Sequence, residues 1–578
     1  MKIRRVQIEN YRNLRKVDIE LENIVTIIGE NNSGKSNFLR AISLPLTSDD
    51  TGTNKRLSWY DINIEAKNQY YDFLKTKRES IIDGTITIEQ FQKHIPFVSI
   101  VLFFQPEKNE HYNVRNIRCD EDMHFGGISY RYYIKNPNEL LNRAKTILIA
   151  ETNDNNIQMS LLPMELYTYS LTVPGKGCKI SYDTISMFRT VCLSAERDTF
   201  ASNANKLGSK ALSDLLQKKL TPESQAVIEK KYRDFFNTVR NEGKLDTVLN
   251  WQAYSEISNA KEFFQEISIL PNMPQMNSIL GSIRLGYENE AMFQQGLGHR
   301  NLVLMSVILS SYIERKREIS FRLMTVEEPE AHLCNSNILL MISLFNIFSK
   351  SNKFTQIVYS THNSEFVNKI GLEKVILFHN GFAYNLGKEL EKEERDYLTA
   401  NPNTDIFKLL YSRKVILVEG ITEELLIRSY LQTQPTLNDI KVLSFHKGFT
   451  KIIDIWKGIN TGTSNKLGIV RDYDDQPKAQ KNHEKRQNKQ IIVRTTEGYT
   501  LETDITRNNY TLLKEKYGME YGWSDMTEEE IQADWRKNKS YVMLRICHDM
   551  ISGKLSDFVM PSHIQQVIDF LQENTHGS

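Results

Sequence analysis

The 578-residue sequence has little cysteine and no long apolar segment. Its 5 cysteines are scattered and include no C-x-x-C pair, which argues against a zinc ribbon or a disulfide framework and favours a reducing cytosol. No apolar run approaches the roughly 18 residues that a membrane span needs, and the N-terminus lacks the apolar core of a signal peptide. We therefore expect a cytoplasmic protein that does not associate with membranes.

An excess of charge of one sign is also missing. Lys and Arg number 73 against 72 Asp and Glu, so the net charge is +1. This balance excludes a generally basic nucleic-acid coat and a strongly acidic protein. Any affinity for DNA has to be local. At about 150 residues per domain, the length predicts roughly three to four domains.

The most specific motif is G-x-x-x-x-G-K-S, which follows a short apolar strand at 24–28 and opens a helix. In this P-loop, backbone N–H groups hold phosphates, the lysine contacts the β- and γ-phosphates, and the serine can ligate Mg²⁺. We therefore predict an ATP site. Its residues are Gly29, Asn32, Gly34, Lys35, Ser36 and Asn37.

A P-loop also needs acidic residues for Mg²⁺ and for the attacking water. The apolar strand 321–326 runs into two glutamates, of which Glu327 is predicted to support the metal and Glu328 to orient the water. His362 follows the strand 354–360 and can sense the γ-phosphate.

A glycine-containing segment precedes the apolar helix predicted at 302–313. The backbone amides of Gly296 and Gly298 can meet a γ-phosphate across a dimer interface. Because this contact needs two copies of the chain, it predicts at least a homodimer.

A second group of acids follows two later strands. Glu419 and Glu423 come after the strand 415–418, and Asp472, Asp474 and Asp475 come after the strand 467–470. In parallel sheets ligands bind at the carboxyl ends of strands, and Asp472 and Asp474 alternate in a segment expected to be extended, so both can face one side. Clustered carboxylates need cations, and Mg²⁺ or Mn²⁺ suits them. Two such ions can cleave a phosphodiester. Whether Asp474 or Asp475 is the ligand stays open.

The order of P-loop, helical insertion, glycine segment, E-E-P-E and T-H-N resembles the ABC-type ATPase head of recombination and chromosome-maintenance ATPases, which sandwich ATP as dimers. The later V-E-G-x-x-E and D-x-D motifs resemble the Toprim domain. Together they resemble the OLD (overcoming lysogenization defect) family of ATP-dependent endonucleases. The resemblance implies catalytic Glu419 and Asp472, and a transition-state role for Lys539. It implies metal ligands at Glu419, Glu423, Asp472, Asp474 and Glu502, the last in a T-L-E sequence.

The same resemblance implies an α/β fold with a Rossmann-like Toprim domain built on a parallel sheet. The predicted domains are an ATPase head at 1–200, a helical dimerisation insertion at 201–285, the rest of the head at 286–404 and Toprim at 405–578. Residues 110–190 are expected to be strands and turns. An arginine-containing segment at 194–198 resembles one in the family head.

We therefore predict an ATP-hydrolysing, Mg²⁺- or Mn²⁺-dependent DNA endonuclease that forms a homodimer or homotetramer. The resemblance implies bacterial defence against phage, alone, with a helicase, or with a retron reverse transcriptase and its DNA. The lysine-rich run 477–490 can hold a phosphate backbone or be a solvated loop. Two alternatives stay open: an ATPase clamp or recombination mediator with an inert Toprim scaffold, and an RNA or tRNA nuclease.

Overall fold

A computed structural model describes most of the chain. It covers residues 1–573 with the exception of short segments and of one long one within the predicted insertion. The residues outside the description are 50–54, 108–109, 120–124, 151–156, 195–206, 245–269, 271–275, 282, 284, 288–289, 314–317, 353, 364–366, 368–370, 380, 394, 397–408, 411, 446–448, 462 and 574–578.

Strands occur along most of the described chain. In order they are β1 (Lys2–Tyr11), β2 (Leu14–Glu20), β3 (Ile24–Gly29), β4 (Thr47–Ser48), β5 (Val98–Gln105), β6 (Gly126–Ile134), β7 (Tyr167–Thr172), β8 (Phe188–Leu193), β9 (Gly286–Tyr287), β10 (Glu290–Ala291), β11 (Phe321–Glu327), β12 (Thr355–Ser360), β13 (Val375–His379), β14 (Phe382–Asn385), β15 (Lys414–Val418), β16 (Ile440–Ser444), β17 (Lys466–Arg471) and β18 (Ile491–Thr495).

Helices connect and cover these strands. The α-helices are α1 (Lys35–Ser43), α2 (Ile64–Thr76), α3 (Arg78–Ile82), α4 (Ile88–Gln92), α5 (Pro137–Ala150), α6 (Gln158–Leu161), α7 (Tyr182–Ser186), α8 (Leu207–Lys219), α9 (Pro222–Glu242), α10 (Met276–Gly281), α11 (Leu297–Ser311), α12 (Asn335–Ser351), α13 (Leu386–Glu389), α14 (Ile421–Thr433), α15 (Phe449–Asn460), α16 (Pro477–Glu484), α17 (Leu501–Tyr521), α18 (Glu528–Trp535), α19 (Lys539–Ile551) and α20 (Ser562–Gln572). Short 3₁₀ turns lie at Trp59–Asp61, His111–Ile117, Met164–Leu166, Met292–Gln294, Leu372–Lys374, Pro435–Leu437 and Arg536–Asn538.

The first sheet is antiparallel, with the strand order β2-β1-β5-β6-β7. Its central strand β5 alternates buried and half-buried residues along its length. This period of two places one face on the core and leaves the other partly wet.

The second sheet has seven strands in the order β14-β13-β3-β12-β11-β8-β4 and is parallel except for β14. Every residue of β3 and of β12 is buried. Continuous burial is expected of central parallel strands, which are covered on both faces. The carboxyl ends of β3, β12 and β11 therefore lie side by side at one edge of the sheet.

The third sheet is a parallel one of four strands, in the order β16-β15-β17-β18. One face packs against helices that include α14, α17, α19 and α20. The other face shares a single apolar core with β3 and β13 of the seven-stranded sheet. The fold is thus mixed α/β, and its two parallel sheets are joined through buried side chains.

The described part of the predicted insertion is helical, since α8, α9 and α10 lie within it. Its role in dimerisation and the four domain boundaries stay predictions. The arginine-containing segment resembling the family head falls, from 195 onward, outside the described residues. No helix among the described residues is long and apolar enough to cross a membrane.

The prediction of strands and turns throughout 110–190 was wrong in part. Residues Pro137–Ala150 form the 14-residue helix α5, which buries Leu140, Ala144 and Leu148. These residues recur every four positions and so lie on one face of a helix. Proline in the first turn suits a helix start, because its missing N–H has no helical partner there.

Candidate functional site

The P-loop connects β3 to α1, as predicted. A Cβ on Gly29 would lie 2.3 Å from Ser33 Oγ and 2.5 Å from the carbonyl oxygen of Phe378. Gly34 has a φ of 116°, and a Cβ there would lie 2.7 Å from Leu14 Cδ2. Both positions therefore require glycine, and the backbone can turn tightly around a bound phosphate.

Lys35 is buried at the centre of this loop. Its Nζ donates to the carbonyl oxygens of Gly29 and Glu30, both at 2.7 Å. Burial lowers the pKa of Lys35 to about 8, and the nearby charges of Glu328, Glu30 and Glu330 oppose that effect. The ammonium group is thus held in the loop, with acidic residues around it.

The turn between β1 and β2 braces the P-loop. Asn13 Nδ2 donates to the carbonyl oxygen of Asn32 at 2.8 Å. Asn37 Nδ2 donates to Asn13 Oδ1 at 2.8 Å, and an Arg12 guanidinium nitrogen donates to Asn37 Oδ1 at 3.0 Å. Two predicted nucleotide residues, Asn32 and Asn37, are therefore tied to this turn, while Ser36 is exposed at the start of α1. No sequence pattern pointed to Arg12 or Asn13.

The acidic strand end lies beside the P-loop, because β12 is the neighbour of both β3 and β11. Glu327 pairs in register with Ser360. His362 Nε2 lies 3.7 Å from Glu328 Oε1. Burial and the charge of Lys35 lower the pKa of His362, while Glu328 raises it. The structure thus brings Lys35, Glu328 and His362 together, as the order of motifs predicted.

A third acid of the E-E-P-E run, Glu330, was missed in the sequence. Its Oε1 accepts from Thr361 Oγ1 at 2.7 Å and from the backbone N–H of His362 at 2.8 Å. Burial raises the pKa of Glu330 despite these hydrogen bonds. Glu330 ties the end of β11 to the loop after β12 and so fixes the position of His362.

The glycine segment packs against the same acidic turn within one chain. Gly296 and Gly298 lie at the start of α11, and a Cβ on Gly298 would lie 2.5 Å from the carbonyl oxygen of His332. Asn301 Nδ2 donates to the carbonyl oxygens of Pro329 and Ala331 at 3.2 and 3.1 Å. The contact of these glycines with a partner's nucleotide stays a prediction.

The second acidic group forms at the carboxyl edge of the four-stranded sheet. Glu419 follows β15, and its Oε2 accepts from the backbone N–H of Asp472, which follows β17, at 3.3 Å. Asp472 Oδ1 accepts from the N–H of Leu501 at 3.1 Å, which brings the start of α17 and Glu502 to the same edge. Glu423 lies in the first turn of α14, so the helix begins soon enough for it to share this site.

Like charges dominate the electrostatics of this edge. Burial raises the pKa of Asp472 to about 8, and the charges of Glu423, Glu502, Glu419 and Asp474 contribute to that rise. Burial also raises the pKa of Glu419 and of Glu423. Clustered carboxylates repel one another in this way and raise one another's pKa values, and a bound cation would offset the repulsion.

The segment after β17 is a turn and not the extended strand expected from the sequence. Asp474 and Asp475 both have positive φ, at 47° and 53°, a conformation that aspartate tolerates better than most residues. The charge of Asp474 acts on both Glu419 and Asp472. Asp474 is thus the one of the two aspartates whose charge reaches these carboxylates, and its role as a metal ligand stays a prediction.

Lys539 supplies a cation to the acidic edge from the start of α19. Its Nζ lies 3.1 Å from Glu502 Oε2, with the lysine side chain 40% exposed and the glutamate 2%. Its charge also lowers the pKa of Glu423 in opposition to burial. Lys539 thus lies beside the acidic group, and its transition-state role stays a prediction.

The donor set at this edge fits a hard divalent cation, because it consists of carboxylate oxygens. Among the described residues, however, no three His, Cys, Asp or Glu side chains converge closely enough to hold one ion. Glu502 Oε2 accepts a hydrogen bond from Lys539 Nζ, and Glu423 Oε2 accepts one from Thr422 Oγ1, both at 3.1 Å. Binding of one ion by three of these carboxylates would therefore require some of the side chains to rotate away from their present partners.

The lysine-rich run after the aspartates is structured. Residues Pro477–Glu484 form α16, with proline in its first turn. Arg486 is engaged with Asp454 at 3.2 Å. Four lysines of the run remain exposed and can face a phosphate backbone: Lys478, Lys481, Lys485 and Lys489.

The P-loop and the acidic edge are connected through the protein interior. Ile28, next to Gly29, shares the core that contains Leu417, next to the end of β15. Arg413 precedes β15, and its charge lowers the pKa of the P-loop residue Glu30, although burial raises that pKa overall. The strand before the P-loop and the first strand of the acidic site thus share one core, and the charge of Arg413 reaches Glu30.

A P-loop whose lysine lies among the acidic residues of a neighbouring strand end defines an ATPase domain, and the comparison with known families agrees. The chain belongs to the AAA ATPase domain family, which matches residues 1–367.

Several known proteins are similar to this chain. Endonuclease GajA of Bacillus cereus (strain HuB5-5) is 22% identical over 489 residues, which cover 76% of this chain and 68% of that protein. Endonuclease GajA of strain VD045 is 22% identical over 440 residues, covering 75% and 68%. DNA replication and repair protein RecF of Rickettsia bellii (strain OSU 85-389) is 58% identical over 38 residues, 6% of this chain and 11% of that protein.

Two solved structures also align with the chain. The SmcHead bound to the C-winged helix domain of ScpA is 15% identical with a TM-score of 0.30, covering 66% of this chain and 96% of that one. The SMC head domain from Thermotoga maritima is 14% identical with a TM-score of 0.27, covering 66% and 97%.

Proposed function

We propose that the protein is an ATP-hydrolysing, Mg²⁺- or Mn²⁺-dependent DNA endonuclease of the OLD family, with an ABC-type head that regulates a Toprim nuclease site. The observation that carries the proposal is the group of four carboxylates around Asp472, beside Lys539, at the carboxyl edge of the four-stranded sheet. The similarity to two proteins named Endonuclease GajA supports it.

At the nucleotide site, the chain's residues bind and orient ATP. The amides of the P-loop hold the phosphates, and Lys35 leaves its carbonyl partners to contact the β- and γ-phosphates. Ser36 and Glu327 support Mg²⁺, while Glu328 orients water toward the γ-phosphate and His362 senses it. Gly296 and Gly298 of a second copy complete the site.

At the acidic edge, divalent ions would activate water and stabilise the leaving oxygen of a phosphodiester. The residues that hold them are Glu419, Glu423, Asp472, Asp474 and Glu502. Lys539 lies against Glu502, where its ammonium group stabilises negative charge on the phosphate. The exposed lysines of the 477–490 run hold the DNA backbone without reading its sequence.

The biological setting follows from the same resemblance. We place the protein in bacterial defence against phage, as a homodimer or homotetramer. A helicase, or a retron reverse transcriptase with its DNA, is the proposed partner class.

The test is a plasmid-nicking assay with the full chain in Mg²⁺, in Mn²⁺ and in EDTA. We expect metal-dependent cutting, reduced by about a thousandfold in Asp472→Asn, because the central carboxylate of the site loses its charge. The matched control is Asp525→Asn, which removes an exposed carboxylate of the same sheet domain. Absence of cutting under every metal condition, or equal cutting by Asp472→Asn, would refute the nuclease assignment. Parallel assays with an RNA and a tRNA substrate determine which nucleic acid the protein cleaves.

One observation favours a second candidate, an ATPase clamp or recombination mediator with an inert Toprim scaffold. The described carboxylates do not converge on one ion position. In that case DNA binding would follow the ATP state and survive Asp472→Asn, with no strand cut. Binding and nicking measured on the same samples separate the two candidates.

A further inference from the structure

A cavity of about 490 Å³ lies between the edge strands of two sheets. Its walls come from β7, the edge strand of the antiparallel sheet, and from β4, the edge strand of the seven-stranded sheet. β4 lies four strands from β3, which leads into the P-loop, so about 19 Å separates the two at about 4.8 Å per strand. The cavity is therefore distinct from the nucleotide site. Its lining includes Thr47, Ser48, Lys55, Tyr169, Lys179 and Tyr182.

Lys55 is a largely buried cation in this cavity. Its Nζ donates to the carbonyl oxygen of Pro45 at 3.0 Å. Burial lowers the pKa of Lys55 to about 8, and no carboxylate among the described residues acts on it. The ammonium group is still protonated at pH 7. A desolvated charge without a counter-ion is costly, and an anion entering the cavity would relieve that cost.

A second cation stands at the cavity on a fixed backbone. Lys179 forms an antiparallel bridge with Thr172 at the end of β7. The Val173 N–H donates to the Cys178 carbonyl oxygen at 2.9 Å, and the Ile180 N–H donates to the Leu171 carbonyl oxygen at 3.0 Å. The chain thus folds back on β7 and holds the backbone of Lys179 against the cavity. No carboxylate belongs to the described lining.

Aromatic rings complete the wall. Tyr169 is 41% exposed and Tyr182 is 79% exposed. The Tyr169 ring stacks on Tyr130, with centroids 6.0 Å apart and planes at 18°, and the Tyr130 hydroxyl donates to the Lys55 carbonyl oxygen. The Tyr169 ring is therefore connected through Tyr130 to the backbone of Lys55.

We propose that this cavity binds a nucleotide unit, with its phosphate between Lys55 and Lys179 and its base against the tyrosine rings. Two ammonium groups without a carboxylate select an anion, and partly exposed aromatic rings offer a stacking surface to a base. The volume falls in the range of small-ligand sites. A free nucleotide and a nucleotide within a single strand share this chemistry. The proposal goes beyond the ATPase and nuclease sites and does not depend on either.

The experiment uses the full chain carrying Lys35→Ala, in EDTA, so that neither the P-loop nor the acidic edge dominates binding. The probes are dAMP, which lacks the β- and γ-phosphates that Lys35 would contact, an eight-residue oligo(dA), and inorganic phosphate. Calorimetry measures dAMP and phosphate, and fluorescence anisotropy measures the labelled oligonucleotide. We expect saturable binding of dAMP or oligo(dA).

Added to that background, Lys55→Met and Tyr182→Ala should each weaken binding by about tenfold, through loss of one charge-assisted contact and of one stacking contact. Lys55→Met should also raise the thermal midpoint, since it removes a desolvated charge. A rise in stability with a loss of binding cannot come from misfolding. The matched control is Lys176→Ala, an exposed lysine on the same turn that does not line the cavity.

Each outcome decides the proposal. Oligo(dA) binding that is tighter than dAMP binding and that weakens in Lys55→Met assigns the cavity to a single strand, and equal binding of the two probes assigns it to a free nucleotide. Unchanged affinity in Lys55→Met, or no saturable binding of any probe, overturns the proposal. Phosphate that binds as well as dAMP, with no effect of Tyr182→Ala, overturns the nucleotide class. Plasmid nicking, measured separately, reports on the nuclease assignment alone.

Discussion

The two candidate sites lie at the carboxyl edges of parallel sheets, yet they are built in opposite ways. The nucleotide site is shaped by backbone: glycines that admit no Cβ, and carbonyl oxygens that hold Lys35. The acidic site is shaped by side chains of like charge around Asp472. The first arrangement is formed before its ligand arrives, whereas the second is completed by it. Mutations at the nucleotide site should therefore affect ligand binding. Mutations at the acidic site should affect both ligand binding and the stability of the folded protein.

At the nucleotide site, the largest expected effect is on ATP turnover. Lys35→Ala should lower the rate of ATP hydrolysis by about a hundredfold or more, because it removes the cation that meets the β- and γ-phosphates. Turnover is measured as phosphate release at saturating ATP, with Lys176→Ala as the control at the wild-type rate. Dissociation of Mg²⁺ from the acidic edge should be unchanged. Hydrolysis by Lys35→Ala at the wild-type rate would refute the nucleotide assignment.

A smaller effect should separate the two consecutive aspartates. Asp474→Asn should slow DNA cleavage by about a hundredfold, since its charge acts on Glu419 and Asp472 and a lost ligand weakens the ion site. Asp475→Asn should stay within about threefold of wild type by the same reasoning. Nicking rates at several Mg²⁺ concentrations measure both. Equal losses in the two variants would contradict the choice of Asp474.

The smallest effect is on stability without metal. The pKa of Asp472 is raised to about 8 from 3.8, so the folded state binds a proton that the unfolded state has released. The stability from that proton is complete below about pH 4 and is lost as the pH rises through about 8. The Asp472→Asn variant has no carboxyl group to titrate at this position, so it does not lose stability in this way as the pH rises.

In EDTA, the thermal midpoint of Asp472→Asn should therefore exceed that of wild type by about 3 °C or more at pH 8, and by less at pH 5. Excess Mg²⁺ should narrow the gap, because the ion stabilises only the form that binds it. Scanning calorimetry at the two pH values gives both quantities. If the difference in thermal midpoint between Asp472→Asn and wild type did not increase with pH, the raised pKa of Asp472 would be contradicted.

The sequence predicted the features that local physics determines. The strands next to both sites were predicted within one or two residues, because short β-branched runs ending at charged residues are typical of buried parallel strands. The P-loop was predicted because its glycines and lysine are contiguous in the sequence. The motif can therefore be recognised without knowing any distant contact. Helix α5 was missed although its apolar residues recur every four positions, since strands on both sides favoured the β interpretation.

Long-range contacts could not be predicted. Asn13 reaches the P-loop from 19 positions before Asn32, and Arg413 acts on Glu30 from just before β15 in the four-stranded sheet. Neither has a local pattern that names its partner. The side-chain rotamers of the acidic site also could not be predicted from the sequence, because they depend on whether Glu502 contacts Lys539 or an ion.

The core shared by the two parallel sheets has a consequence for how the protein can be divided. Ile28 and Leu377 from one sheet, Leu417 and Leu467 from the other, and Trp456 from α15 are packed in one apolar cluster. A fragment that began at the predicted boundary near residue 405 would expose one half of that cluster to water, and such a patch promotes aggregation. We therefore expect limited proteolysis near that boundary to yield fragments that stay associated, and the two halves to melt together.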